Sequence, residues 1–385
     1  MNFAFFVHAL ASDWNHGNAH FVRGVLSELV ARGHGLVTHE QADNWSTWHL
    51  ERVEGVDAQA SFAEAYPSLA NVSRTFDVGG RAGTFADPDF ADVDAAEAAL
   101  DLPTRLKDVD VVVVHEWTPP AVVAAVGKYR QSGGDFQLWF HDTHHRVVSE
   151  PEKMSRFDIT GYDGVLVFGE VLRDAYIRRG WDPARVVTWH EAADVRKFKP
   201  LDATRDHDLV WVGNWGDDER TAELHEYLLH PAKDLNLTGV IHGVRYPEEG
   251  VAAVKEAGLR FGGYLPNHRA PELFARSRLT VHVPRRWYVT HLPGIPTIRV
   301  FEALACGIPL VSAPWQDSEN LFTPGRDFLV ASDGEQMRQQ MTRLCNEPAF
   351  AEDLAAQGLE TVKARHTCGH RADELLAAIE SRRSS

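Results

Sequence analysis

Short apolar runs alternate with amphipathic stretches along most of the chain. Residues 2–9 (NFAFFVHA) and 109–114 (VDVVVV) are apolar enough for buried parallel strands. Residues 19–32 (AHFVRGVLSELVAR) carry apolar positions at helical spacing, and Gly33 ends that stretch. This alternation predicts βαβ units and therefore a doubly wound parallel sheet. Further strands are predicted at 136–140, 164–168 and 185–189, with helices at 119–131 and 170–179.

The alternation breaks once and then restarts. Residues 191–207 (EAADVRKFKPLDATRDH) are polar and contain Pro200, which predicts an interdomain linker. We therefore predict an α/β protein with two Rossmann-like domains, at 1–190 and 208–368, facing a central cleft. Open sheets of this kind bind ligands beyond the carboxyl ends of their strands. The strands of the second domain are predicted at 208–213, 237–242, 259–261, 279–283 and 308–312.

Two segments outside this pattern have separate predictions. The tail from about 334 to 383 has the apolar spacing of two or three helices. Residues 76–85 (FDVGGRAGTF) are predicted to form a loop or a hairpin because glycine is frequent there.

Composition and charge narrow the class of protein. The chain has 385 residues, is 44% hydrophobic and 24% charged, and has a formal net charge of -16 at pH 7. The acidic balance argues against nucleic acid as a partner, but a local pocket could still bind a small anion. No apolar run is long enough for integral membrane association. The N-terminus lacks the basic region of a signal peptide, and the three cysteines show no pairing or metal spacing, so we expect a cytoplasmic protein.

The most informative motif is PGIPTIRVFEALACGIPLV at 293–311, where a Gly/Pro-rich loop leads into a short helix and a buried strand. The backbone N–H groups of such a loop and helix N-terminus can bind a phosphate. Arg299 lies in the first turn of the helix and Glu302 one turn further, so both can share the ligand-facing end. A carboxylate there suits a diol such as a ribose. The alternative is an ordinary loop, helix and strand with surface charges.

A second motif follows a strand of the first domain. The segment LWFHDTHHR at 138–146 places His141 and Asp142 at the carboxyl edge of the sheet, with His144 close behind. A histidine beside an aspartate can act as a base, as a charge stabiliser, or as a pair that orients a hydroxyl group. The alternative is that these are loop histidines without a catalytic role.

A metal site at the same edge is an alternative interpretation. His115 and Glu116 follow the neighbouring strand, and with the His141–His145 group they could form a metal-dependent hydrolase centre. Their spacing matches no metal motif such as HExxH, so we predict no bound metal.

Two glycine-containing turns have weaker signals. Gly17 and Asn18 are predicted to form a turn after the first strand. Neither this turn nor residues 76–85 contain the GxGxxG motif of dinucleotide-binding proteins. A nicotinamide dehydrogenase is therefore disfavoured. Gly213 and Asn214 end the first strand of the second domain. Arg220, shortly after them, could reach a pyrophosphate or pair with a surface carboxylate.

Residues 278–330 resemble the C-terminal half of the retaining group 1 (family 4) glycosyltransferases, which have the GT-B fold. The segment RVFEALACG at 299–307 is most similar to the spore-maturation, CgeB-like branch. The segment HEAADVRKFKP at 190–200 is similar to the interdomain segment of that family. With the apolar stripe of Leu375, Leu376 and Ile379, the resemblance also implies that residues 369–385 form a helix returning toward the first domain.

The resemblance implies an enzyme that moves a sugar from a nucleoside-diphosphate sugar to a small-molecule, glycan or other acceptor, with retention and without a cofactor. A UDP-sugar is favoured and a GDP-sugar is possible. Glu302 stands at the ribose-binding carboxylate of the family, and His141 at its histidine near the reacting sugar. The resemblance and the motifs together give as donor-binding residues Gly213, Asn214, Arg220, Leu265, Arg286, Gly294, Ile295, Pro296, Thr297, Ile298, Arg299 and Glu302. The predicted acceptor-side residues are Gly17, Asn18, His115, Glu116, Trp117 and His144.

One position departs from the family pattern. Gly294 stands where the family often has a second glutamate, which contacts the donor sugar. Three functions are therefore alternatives at this point: a glycosyltransferase, a metal-dependent hydrolase, and a protein that binds a nucleotide sugar without catalysis.

Overall fold

The computed structural model describes residues 1–79, 93–216 and 218–383. The chain divides into two compact units, one formed by Met1–His190 with Arg371–Ser385 and the other by Glu191–His370. Most of the predicted loop or hairpin at 76–85 lies outside the described residues. No helix in the described ranges has the length and apolar character needed to cross a membrane.

The first unit is a parallel sheet with helices between its strands. Its strands are β1 (Asn2–Phe6), β2 (Gly35–Gln41), β3 (Ser73–Phe76), β4 (Val111–His115), β5 (Gln137–Asp142), β6 (Gly164–Val167) and β7 (Val186–Thr188). Its helices are α1 (Ala19–Ala31), α2 (Trp45–Arg52), α3 (Ala58–Ala65), α4 (Val93–Leu100), α5 (Leu102–Arg105), α6 (Pro120–Gln131), α7 (Arg146–Ser149), α8 (Pro151–Met154) and α9 (Glu170–Arg178).

The seven strands run in the order β3-β2-β1-β4-β5-β6-β7. The side chains of residues 111–114 are almost completely buried, as expected for a parallel strand covered on both faces. The strand order reverses between β1 and β4, so the loops that follow these two strands leave in different directions and open a crevice for a ligand. In the register of the sheet His115 pairs with His141, which places both histidines at the same edge.

The second unit repeats this plan with six strands. They are β8 (His207–Val212), β9 (Gly239–His242), β10 (Arg260–Phe261), β11 (Ser277–His282), β12 (Leu310–Ser312) and β13 (Leu329–Val330), in the order β10-β9-β8-β11-β12-β13. The order reverses between β8 and β11, which is the corresponding ligand position. The helices are α10 (Thr221–Leu224), α11 (His230–Asp234), α12 (Glu248–Glu256), α13 (Ala270–Ala275), α14 (Arg286–Thr290), α15 (Ile298–Ala305), α16 (Gly334–Asn346), α17 (Pro348–Arg365) and α18 (Cys368–Arg383), with a π-helical turn at His225–Leu229.

The last helix contributes most of its length to the first unit. Leu375 and Ile379 are fully buried. The indole N–H of Trp189 donates to the carbonyl of Arg371 at 2.8 Å, and the amide of Gln137 donates to the carbonyl of Ile379 at 2.9 Å. Apolar burial and these hydrogen bonds attach α18 to the sheet of the first unit.

Two doubly wound parallel sheets confirm the predicted fold class. The pattern did not predict β2, because its centre consists of the polar residues Thr38, His39 and Glu40, which are nevertheless buried. The Glu40 carboxylate accepts the backbone N–H of Leu10 at 2.9 Å and is also hydrogen-bonded to Ser73. Strand β5 also runs further than predicted, so that His141 and Asp142 are its last two residues.

Candidate functional site

Glu302 is a completely buried acid of the second unit. It lies on α15 with no exposed surface, and its carboxylate accepts the side-chain amide of Asn267 at 2.8 Å. Arg299, one turn earlier on the same helix, forms an ion pair with it. A charge without solvent needs such partners, because an unpaired buried carboxylate would be costly. Leu265 lies two residues before Asn267, in the loop after β10 and half-buried. The amide of Asn267 and the guanidinium of Arg299 thus hold the Glu302 side chain in place at the carboxyl edge of the sheet.

A second buried carboxyl, Glu191, lies at the N-terminus of α15. The backbone N–H of Ile298, the first residue of that helix, hydrogen-bonds to it. Burial, and then the negative charge of Glu302, raise the pKa of Glu191 to about 8, although Arg299 works in the opposite direction. At neutral pH Glu191 therefore holds a proton. Sequence reasoning missed this residue, because it lies in the predicted linker.

The loop before α15 has a backbone that only glycine fits at Gly294. This residue has a φ of +97°, and a Cβ atom on it would lie 2.3 Å from the Oγ of Ser318 and 3.1 Å from the Cγ of Glu319. A glutamate there would strain the backbone and would require the side chains of Ser318 and Glu319 to move. Gly294, Ile295 and Pro296 are buried, and Thr297 precedes the helix without capping it through its side chain.

Arg220 links the ends of the two central strands of the second unit. Its guanidinium donates to the carbonyl of Val283, after β11, at 3.1 Å and to that of Asn214, after β8, at 2.5 Å. Gly213 lies beside it at the end of β8, and its carbonyl accepts the hydroxyl of Tyr246 at 3.1 Å. A positive charge therefore lies at the point where the strand order reverses.

Arg285 and Arg299 lie near Arg220. Arg299 was predicted as a donor-binding residue, whereas Arg285 was not. Burial, followed by the charges of Arg285 and Arg299, lowers the pKa of Arg220. Arg286, which the sequence analysis selected, is instead exposed and paired with Glu223 at 3.1 Å. The cationic cluster thus consists of Arg220, Arg285 and Arg299. Arg285 is held by Glu219 at 2.8 Å.

A row of buried histidines lies along the carboxyl edge of the first unit. The ring centroids are 5.3 Å apart for His8 and His16, 6.3 Å for His16 and His115, and 5.0 Å for His115 and His141. Burial lowers the pKa of all four, to about 4 for His16 and about 3 for His141. The row is therefore neutral at physiological pH. His115 and His141 were predicted from the sequence as site residues, whereas His8 and His16 were not.

Asn18 joins the first helix to this row. Its side-chain amide lies 2.7 Å from Nε2 of His115 and donates to the hydroxyl of Thr143 at 2.6 Å. Gly17, just before it, is exposed in the turn that enters α1. The structure thus brings Asn18, His115 and His141 together, with Thr143 as an additional member.

The two acids of this edge have other partners than expected. Asp142 accepts the hydroxyl of Tyr176 at 2.8 Å and the backbone N–H of His144 at 3.1 Å, so it does not orient His141. The reason is the pleat of the strand, which turns consecutive side chains to opposite faces. Burial raises the pKa of Asp142 to about 6.

Glu116 forms a buried ion pair with Arg146, and that guanidinium also lies 4.2 Å from the ring of Trp117. His144 meets the same indole edge-on at 5.5 Å. These contacts explain why the metal-dependent hydrolase is not favoured, since Glu116 is committed to an arginine. Within the ranges that the structure describes, no three His, Cys, Asp or Glu side chains are arranged to hold a metal ion.

Comparison with known proteins adds two findings. Residues 220–377 match the family model described as "Glycosyl transferase-like". Among curated proteins, none matches the sequence.

Solved structures match nearly the whole chain. Sucrose-phosphate synthase from Thermosynechococcus elongatus is 15% identical, with a TM-score of 0.68 over 100% of this chain and 99% of that one. HepE of Anabaena, solved with UDP-glucose, is 12% identical, with a TM-score of 0.66 over 99% of this chain and 100% of that one. An alpha-glucosyltransferase solved with UDP and DNA is 13% identical, with a TM-score of 0.66 over 99% of both chains. The two units therefore have the GT-B fold.

Proposed function

We propose that the protein is a glycosyltransferase that uses a UDP-sugar as donor. The observation that carries the proposal is the position of the charged cluster. Arg220, Arg285, Arg299 and Glu302 all lie within the segment that matches the glycosyltransferase family model, at the carboxyl edge where an open sheet binds its ligand. UDP is favoured because HepE and the alpha-glucosyltransferase were solved with UDP or UDP-glucose.

The cluster suits a nucleoside diphosphate by its charges. Guanidinium groups bind phosphate oxygens and stabilise the negative charge that develops on a leaving diphosphate. Glu302 accepts hydrogen bonds from the ribose hydroxyls, the role that the resemblance gives it. Because Glu191 is protonated at neutral pH, it adds no further negative charge where the diphosphate would bind. Arg286 is not part of this proposal, since it pairs with Glu223 at the surface.

In the proposed reaction the bond between the anomeric carbon and the diphosphate oxygen breaks, and a bond to an acceptor oxygen forms. The acceptor proton leaves with the UDP or passes to solvent. His141 hydrogen-bonds the transferred sugar as a neutral imidazole. Retention of configuration and membership of the spore-maturation branch follow from the sequence resemblance and are proposed with it. The acceptor contacts the first unit.

A binding and turnover experiment tests the function. UDP is titrated into the protein by calorimetry, and UDP release is measured with UDP-glucose, UDP-galactose, UDP-N-acetylglucosamine and GDP-mannose, with and without chelator. We expect UDP to bind and one UDP-sugar to be consumed with chelator present. UDP binding without turnover of any donor would identify a binding protein instead, and chelator-sensitive hydrolysis would favour the metal enzyme. Proton NMR of the first product gives its anomeric configuration.

A further inference from the structure

Two indole rings and an imidazole form a small aromatic group at the ligand edge of the first unit. Trp45 of α2 and Trp117 after β4 have ring centroids 6.0 Å apart at 71°, and both are half-buried. His8, which follows β1, lies 4.4 Å from Trp45 and 6.1 Å from Trp117. Because the strand order reverses between β1 and β4, this group lies at the crevice that the topology creates.

Buried polar atoms without partners lie along the histidine row of the same edge, and one of them, Nε2 of His8, belongs to this group. Nε2 of His8, Oδ1 of Asn18 and Nε2 of His141 have no hydrogen-bond partner among the described residues. The three side chains are at least nine-tenths buried, with 7%, 9% and 2% of their surface exposed. A buried polar atom without a partner is unfavourable, and such atoms in folded proteins are usually satisfied by water or a ligand. These three atoms therefore indicate a hydrogen-bonding ligand.

The charges at this edge are already paired within the chain. The guanidinium of Arg23 lies 2.8 Å from Asp13, and Arg146 is paired with Glu116. The imidazoles of the histidine row are neutral at physiological pH, since burial lowers their pKa values. Each of these cations is neutralised by an acid, whereas Arg220 of the second unit donates to two backbone carbonyls, so a neutral ligand suits this edge better than a phosphate or a carboxylate.

Aromatic faces beside neutral hydrogen-bonding groups fit one chemical class. The C–H face of a sugar ring packs on an indole, and its hydroxyl groups both donate and accept, as a neutral imidazole does. We propose that His8, Trp45 and Trp117 form a subsite for a neutral saccharide, which acts as the acceptor of the reaction. The assignment of this saccharide as the acceptor rests on the proposed function. Saccharide binding itself can be measured without a donor.

The test compares two tryptophans of the same helix. Trp45→Leu removes the indole that packs on His8, and Trp48→Leu removes a half-buried indole of α2 whose ring contact is with His49. His8→Phe keeps a ring of similar shape beside Trp45 and removes Nε2. Binding is measured by calorimetry with maltotriose, cellotriose and chitotriose as neutral probes, and with glucose 6-phosphate and glucuronate as charged probes. UDP affinity reports whether each variant is folded.

We expect at least one neutral probe to bind and to accept sugar from the donor, and the charged probes to bind at least tenfold more weakly. His8→Phe should weaken neutral binding about tenfold, the equivalent of one hydrogen bond. Trp45→Leu should weaken it by at least as much, and Trp48→Leu should not change it. A preference for the charged probes, equal losses in the two tryptophan variants, or no neutral binding by a protein that binds UDP would overturn the inference. Saccharide binding without UDP binding would instead overturn the proposed function.

Discussion

The two sheets end in crevices of the same topology but of opposite chemistry. Where the strand order reverses in the first unit, the chain places imidazole and indole rings, with His8 after β1 and Trp117 after β4. At the corresponding point of the second unit, Arg220 bridges the ends of β8 and β11 with a guanidinium. The fold thus fixes where each ligand can bind, and the side chains at the strand ends decide which kind of ligand it is. A neutral crevice and a cationic one suit two different substrates.

Burial acts on the two crevices in different directions. In the first it lowers the pKa of the histidines, which removes their positive charge. In the second it raises the pKa of Glu191, helped by Glu302, which removes a negative charge. Both changes follow from the cost of keeping a charged group away from water. The histidine row of the first crevice becomes neutral, whereas the second crevice loses one negative charge beside its arginines.

The largest loss of activity is expected from a substitution of His141 in the first crevice. His141→Ala should lower kcat and kcat/KM together by about 30–900-fold, because the loss of an electrostatic contact at the reacting sugar costs about 2–4 kcal/mol. UDP affinity should stay unchanged, since UDP carries no sugar. The measurement is steady-state turnover of the donor, with UDP titration by calorimetry.

The matched control is His34→Ala, at the amino end of β2 on the opposite edge of the same sheet. His34 contacts the ring of Phe3 at 5.4 Å and is no part of either crevice. Its substitution should leave turnover unchanged. Wild-type turnover in His141→Ala would refute the assignment of His141.

A smaller effect, on binding, is expected from Glu302. Glu302→Ala should weaken UDP binding about 10–150-fold, because hydrogen bonds to a charged group contribute about 1.5–3 kcal/mol. Glu302→Gln should retain part of the affinity, since its amide oxygen can still accept from Asn267. Affinities for UDP and for uridine are measured by calorimetry.

Glu223→Ala is the control for this change, because Glu223 is an acid of the same unit that pairs with the exposed Arg286. It should bind UDP like the wild type. Equal affinity of wild type and Glu302→Ala for both UDP and uridine would contradict the ribose role.

Most strands could be predicted from the sequence because each of them contains a short apolar run. The valines of β4 identify a strand without any knowledge of their neighbours. Strand β2 could not be found in this way, since Thr38, His39 and Glu40 are polar residues that the fold buries. The partners of the Glu40 carboxylate, Leu10 and Ser73, are distant in sequence. Periodicity detects apolar burial but does not detect polar burial.

The site was predicted less completely for the same physical reason. Glu302 and Arg299 could be paired from their helical spacing, but Asn267 comes from a different loop, and nothing local connects it to Glu302. Arg285 and Arg286 are adjacent in sequence, yet one joins the cationic cluster and the other pairs at the surface. Which of two neighbouring side chains faces a crevice depends on the backbone at the start of α14, which the sequence pattern does not specify.

A still smaller effect concerns Glu191 and stability. Its pKa of about 8 in the folded protein exceeds its ordinary value of 4.5, so between these values the folded protein binds more protons than the unfolded chain. This contribution to stability is therefore complete below about pH 4.5 and is lost as the pH rises toward 8. Glu191→Gln should remove that fall. The thermal midpoint from pH 5 to pH 9 is compared between wild type and variant, and parallel curves would show that Glu191 is ionised in the folded protein.

The smallest expected change is in the shape of the pH–rate profile when His141 is altered. Because the pKa of His141 is about 3, its imidazole is neutral throughout pH 5–8 and cannot contribute an inflection there. His141→Asn should lower the plateau of kcat without moving any inflection. An inflection near pH 6 that persists in this variant would point to Asp142, whose pKa is raised to about 6, and Asp142→Asn should remove it. An inflection between pH 5 and 8 that disappears in His141→Asn would show that this histidine titrates in catalysis. The statement that the His141 imidazole is neutral in this pH range would then be wrong.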